Sequence, residues 1–126
     1  MITYIYSLIV LTLVLIMQVV GIEKSLYVQY PGYDIIMHIL GGAGLGLALT
    51  AAVKLHGNTL VHKRSLIIIG TIALGIIWEI FEVYSDIAGH TFGTKLYWID
   101  TVKDLIDDTI GGVIVTWVVF GKKKEI

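Results

Sequence analysis

The chain contains no cysteine, so disulfides and thiolate metal sites are excluded. Charge is also scarce, with Asp, Glu, Lys and Arg together at 15%. No basic face with interleaved aromatics is present, so nucleic acid is not an expected partner. A single proline, Pro31, precedes Gly32 and marks one turn. What remains is apolar: 56% of the 126 residues, with a mean hydropathy of +0.86. One domain of this size would not need so much apolar surface in water. Runs of nearly 20 apolar residues identify a polytopic membrane protein.

Four spans are predicted, at residues 2–20, 35–53, 66–84 and 102–120, giving an all-α, four-helix transmembrane bundle in a single domain. Each has 19 residues, or about 28 Å at the helical rise, against a hydrocarbon core of about 30 Å. The first run lacks a basic start and a small-residue cleavage site before Gly21, so it reads as a retained helix and not a signal peptide. Six of the nine basic residues, Lys54, Lys63, Arg64, Lys122, Lys123 and Lys124, fall in the second loop or the tail. Basic loops stay inside. Both termini are therefore expected on the cytoplasmic side of the plasma membrane.

The acids sort to the other end. Eight of the ten carboxylates, Asp34, Glu79, Glu82, Asp86, Asp100, Asp104, Asp107 and Asp108, lie at the outer ends of the second, third and fourth spans. Thr109 to Phe120 is only 12 residues long, so a fourth span must carry Asp104, Asp107 and Asp108 at membrane depth. Each acid there costs about 2.5–3.5 kcal/mol on insertion scales, and such residues usually mark a functional site.

Spacing gathers these residues into stripes. Asp34 and His38 are four apart, and Gly42 and Gly46 continue their face. Glu79 and Glu82 share a second face, and Asp104, Asp108 and Gly111 a third. The three faces can meet in one outward-opening pocket. Up to eight carboxylates there cannot all stay ionised without positive partners. Either some are protonated, as in an ion pathway, or a divalent cation compensates them. Carboxylates with a neutral imidazole suit magnesium, manganese, zinc or iron.

The expected metal ligands are His38, Glu79, Glu82, Asp104 and Asp108. Glu79, Asp104 and Asp107 are the candidate acid–base groups, and His90, Lys95 and Lys103 the candidate contacts to a lipid headgroup. Asp34 and Asp100 also stand where helix N-caps are expected. Asp86 and His90 lie where a solvated loop is expected. The span-two glycines suit close helix packing and offer a seam for a homo-oligomer.

Asp34-x-x-x-His38, Glu79-x-x-Glu82 and Asp104-x-x-x-Asp108-x-x-Gly111 together resemble the VanZ-like group of small bacterial membrane proteins. That group has an Asp/His pair, then Glu-x-x-Gln, then Asp-x-x-x-Asn-x-x-Gly. Glu82 stands here in place of its Gln and Asp108 in place of its Asn, so this chain is the more acidic. The resemblance spans about residues 34 to 112. It implies a helical membrane fold and a role in the cell envelope, where the group is tied to glycopeptide-type antibiotic resistance. Three functions follow as expectations: a metal-binding pocket acting on or recognising an envelope lipid headgroup, a proton- or cation-coupled carrier or channel subunit, or a non-catalytic assembly partner.

Overall fold

Long apolar stretches, interrupted mainly by small residues, dictate helices, because a backbone in lipid must satisfy its own hydrogen bonds. The computed structural model describes residues 2–55 and 62–120, and every element among them is helical. His56 and the basic tail of Lys122, Lys123 and Lys124 lie outside the described residues. The elements are α1 (Ile2–Glu23), a four-residue turn of helix α2 (Leu26–Gln29), α3 (Gly32–Leu55), α4 (Lys63–Tyr84) and α5 (Lys95–Phe120). Three of them, α1, α3 and α4, are long and apolar enough to cross a membrane.

The fifth helix differs in kind. Its 26 residues are long enough, but Lys95, Asp100, Lys103, Asp104, Asp107 and Asp108 crowd its N-terminal part. They are sorted by face. Asp104, Asp107, Asp108, Gly111, Gly112 and Val115 are buried, whereas Val102, Ile106, Ile110, Val113 and Trp117 are exposed. The helix turns its acids inward and an apolar stripe outward, the arrangement expected of intramembrane ionisable residues.

Helix α3 is the hub, packing on α1, α4 and α5. It runs parallel to α5, with His38 beside Asp104 and Asp108 and Gly46 beside Gly112. Close approach here depends on glycine. A Cβ at Gly42 would collide with the backbone of Asp108, and one at Gly111 with the carbonyl of Ile39. This is the small-xxx-small contact, made within one chain. Gly44 faces Leu11 of α1 instead, where Ser7 donates to the Gly44 carbonyl at 3.0 Å. At the other end of the bundle, Arg64 donates to the last α5 carbonyl, that of Phe120, at 2.8 Å. The described basic residues Lys54 and Arg64 thus stand at helix ends away from the acids.

Several local expectations are corrected. The last helix starts at Lys95, seven residues before the expected Val102, because Thr94 Oγ1 accepts the Tyr97 N–H at 3.3 Å and caps it. Asp100 is therefore inside the helix and not its N-cap. Asp34 likewise lies within the first turn of α3, which starts at Gly32, where a carboxylate suits the helix dipole. Asp86 is exposed beyond the end of α4, as expected of a solvated loop acid, and it also shapes that helix end. It has φ of 56° and sits just beyond α4. The Ile87 N–H reaches the Glu82 carbonyl at 3.0 Å and the Asp86 N–H reaches that of Val83 at 3.3 Å. That pair of bonds is a Schellman C-cap with aspartate where glycine is usual.

Candidate functional site

The site is built at the α3–α5 contact. His38 sits one turn beyond Asp34, and the parallel register sets its imidazole between two carboxylates of α5. Its Nδ1 is 3.4 Å from Asp108 Oδ1. Its Nε2 is 3.6 Å from Asp34 Oδ1 and 3.8 Å from Asp104 Oδ1. His38, Asp104 and Asp108 are all buried, at 6%, 3% and 4% exposure. One ligand atom from each of Asp34, His38 and Asp104 lies within 4.8 Å of the others.

Lys103 lies against the same carboxylates. Its Nζ is 2.6 Å from Asp34 Oδ2, 2.5 Å from Asp104 Oδ1 and 3.5 Å from Asp100 Oδ1. This lysine, expected as a headgroup contact, is the internal cation of the cluster. Its side chain is 39% exposed, so the ammonium can leave on its flexible stem.

Glu79 and Glu82 occupy a separate shelf on α4. Buried Glu79 accepts from the Thr101 hydroxyl at 2.9 Å through Oε2, and its Oε1 has no partner among the described residues. Glu82 accepts from the Trp78 indole N–H at 2.9 Å. Asp107 is also buried, and its Oδ2 is likewise without a partner there. Of the expected metal ligands, the structure brings His38, Asp104 and Asp108 into direct contact, and adds Asp34. Glu79 and Glu82 have other hydrogen-bond partners. His90 and Lys95 are exposed.

Residues that the spacing argument passed over complete the surroundings. Thr101 is three residues before Asp104 on the same helical face, which is the signal that could have placed it. Gly75 is four residues before Glu79, and its missing side chain admits Asp108, whose Oδ2 lies 2.5 Å from where a Cβ would stand. Tyr27 of α2 hydrogen-bonds Gln18, and Tyr33 in the first turn of α3 donates to the Met17 carbonyl at 2.6 Å, so α2 and the start of α3 are both pinned onto α1. Burial, and then the charges of Glu82 and Asp34, hold the Tyr27 phenol above its ordinary range. It therefore remains a donor at neutral pH.

The fold and the site define a helical integral membrane protein with a buried acid–imidazole cluster. The chain matches the predicted membrane protein family DUF2238 over residues 1–125 and belongs to it. This match is to a family of membrane proteins and not to the VanZ-like group, so the VanZ resemblance rests on the three motifs alone. No curated protein and no solved structure matches the chain significantly.

Proposed function

We propose that the protein binds a divalent cation through Asp34, His38 Nε2 and Asp104, and uses it to recognise a lipid headgroup at the outer face of the plasma membrane. In this reading α5 is a fourth span and both termini are cytoplasmic. One observation carries it: His38 is held by Asp108 on one nitrogen and directs the other toward two carboxylates. A metal-ligating histidine almost always donates its second N–H to a carboxylate, carbonyl or water, which fixes ring and tautomer. Asp108 does this here as a positioning residue.

Distances agree with the assignment. Two ligands about 2.1 Å from one ion are at most about 4.2 Å apart, and the Nε2 separations of 3.6 and 3.8 Å fall inside that limit. Charge agrees as well. Among the described residues, the four carboxylates Asp34, Asp100, Asp104 and Asp108 lie against the two basic groups His38 and Lys103. Lys103 already shows how a positive centre sits on Asp34 and Asp104, and a divalent ion would displace its ammonium. The ion would then polarise a phosphoryl oxygen, and in this reading the exposed His90 and Lys95 meet the rest of the headgroup. The motif resemblance to envelope proteins supports the lipid as the partner.

Metal analysis of protein purified mildly in detergent tests this. About one divalent ion per chain is expected, with loss in Asp104→Asn and His38→Ala. Substoichiometric metal in the wild type would sink the reading.

One observation favours a second reading. Glu79 Oε1 and Asp107 Oδ2 are buried acceptors without a partner among the described residues, as groups that bind and release protons or cations would be. Ion flux in liposomes that is lost in Asp107→Asn would support a carrier or channel subunit instead. A homo-oligomer would need a face other than the glycine stripe, since Gly42, Gly44 and Gly46 already pack against α5 and α1.

A further inference from the structure

Of the three basic residues expected at the headgroup, His90 and Lys95 are exposed, whereas Lys103 is turned onto acids of its own bundle. Its ammonium links two helices: Asp34 Oδ2 of α3 lies 2.6 Å away, and Asp104 Oδ1 of α5 lies 2.5 Å away. Asp100 Oδ1 stands at 3.5 Å. The Lys103 side chain is nevertheless 39% exposed, against 4% for that of Asp104. Lys103 therefore sits at a boundary, with a buried partner on one side and water on the other.

One oxygen decides what a divalent ion does to this lysine. Asp104 Oδ1 is the atom that faces His38 Nε2, at 3.8 Å, and also the atom that holds the ammonium. An ion ligated by that oxygen would meet a second positive charge on the same atom. Asp34 divides its oxygens differently, with Oδ1 toward His38 and Oδ2 toward Lys103. The shared Asp104 oxygen thus sets the two cations in competition, and the ammonium on its flexible stem is the one that moves.

The stem also has somewhere to go. Helical side chains tilt toward the N-terminus of their helix, and the N-terminal part of α5 is the acid end of the bundle. A released ammonium reaches water there by snorkelling. Its departure changes what the surface attracts. In the resting protein three carboxylates, Asp34, Asp100 and Asp104, surround one ammonium, and an anion is repelled. With the ion in place, two positive charges are added and the ammonium faces outward.

We infer that Lys103 is a metal-released phosphate contact. Divalent loading expels its ammonium from Asp34 and Asp104, and the freed ammonium binds a phosphate group, so that cation and anion bind cooperatively. The shared chemistry is a phosphate carried by a lipid headgroup or by a soluble ester. By linkage, the anion tightens the cation as much as the cation tightens the anion. The switch rests on the divalent site proposed above and adds its coupling to the anion.

Calorimetric titration of chelator-stripped protein in detergent, with and without saturating manganese, tests this. The probes are dihexanoyl phosphatidylglycerol and glycerol phosphate, with dihexanoylglycerol as the phosphate-free control. Manganese should tighten phosphate-probe binding in the wild type, and the tightening should be at least about fivefold smaller in Lys103→Met. The ion's own contact to phosphate is common to both proteins, so the difference reads the lysine. Lys103→Arg, which keeps a charge on a long stem, should retain the wild-type coupling. Coupling confined to phosphatidylglycerol assigns the phosphate to a lipid, and equal coupling of glycerol phosphate assigns it to a soluble ester; either supports the switch. Equal coupling in wild type and Lys103→Met, equal coupling of the phosphate-free lipid, or loss of manganese binding in Lys103→Met would overturn it, while manganese binding by the wild type keeps the divalent site. Absence of manganese binding in the wild type would remove both.

Discussion

Replacing Lys103 with methionine separates the metal site from a purely structural ion-pair network. In the protein, the Lys103 ammonium contacts Asp34 at 2.6 Å and Asp104 at 2.5 Å. A divalent ion at those carboxylates must first displace it. Hydrogen bonds between charged groups are worth about 1.5–3 kcal/mol when well shielded, but exposed pairs are worth only about 0.2–1 kcal/mol. The lysine side chain is 39% exposed and Asp34 26%, so about 1–2 kcal/mol is a fair cost for the displacement. Removing the competitor should therefore tighten divalent binding by about 5- to 30-fold. Calorimetric titration of chelator-stripped wild type and Lys103→Met with manganese measures this directly. A structural network predicts the opposite: Asp104, left buried without its cation, would destabilise the fold, and metal affinity would be weak in both proteins. Unchanged or weaker manganese binding in Lys103→Met would refute the competition argument.

Other perturbations follow from the same geometry. Asp108→Asn should weaken divalent binding by about 10- to 100-fold, the usual cost of losing the partner that orients a ligating histidine, as read by the same titration. Thr101→Val removes the hydroxyl that Glu79 accepts from and should destabilise the bundle by about 1–3 kcal/mol, seen as a lower thermal transition in detergent. Gly111→Val would drive a side chain into the Ile39 carbonyl and the Ala43 backbone. It should cost about 3 kcal/mol or more, beyond ordinary core overpacking, because backbone cannot move aside, and the measurement is loss of folded, monodisperse protein. Asp86→Gly relieves a residue held at φ of 56° and should raise stability by up to about 1 kcal/mol, whereas Asp86→Val should lower it.

The helical class and the gathering of acids at one end were legible in the sequence, because hydropathy and charge sorting act through composition. The His38 stripe was also legible, since spacing of four defines a helical face. Which acids meet was not. Spacing places Glu79 and Glu82 on a face of α4, but the rotation of α4 about its axis decides what that face touches, and it sets Glu79 against Thr101. Asp34 was discounted in part because an acid near a helix start reads as a cap. Its actual neighbour, Lys103, is 69 residues away, and no local pattern connects them. The early start of α5 was hidden by its charge: Lys95, Asp100 and Lys103 bracket the four apolar residues Leu96 to Ile99 and cut them off from the long apolar run, yet one threonine cap and the burial of Tyr97 suffice to make them helical. The left-handed C-cap at Asp86 was not legible, because such a cap usually advertises itself with glycine.

The central claim is that His38 places one nitrogen on a divalent ion beside Asp34 and Asp104. Pulsed electron paramagnetic resonance of manganese-loaded protein tests it most directly. The account predicts hyperfine coupling to a single imidazole nitrogen, abolished in His38→Ala and retained in His90→Ala. Bound manganese without nitrogen coupling, or coupling that survives loss of His38, would contradict it.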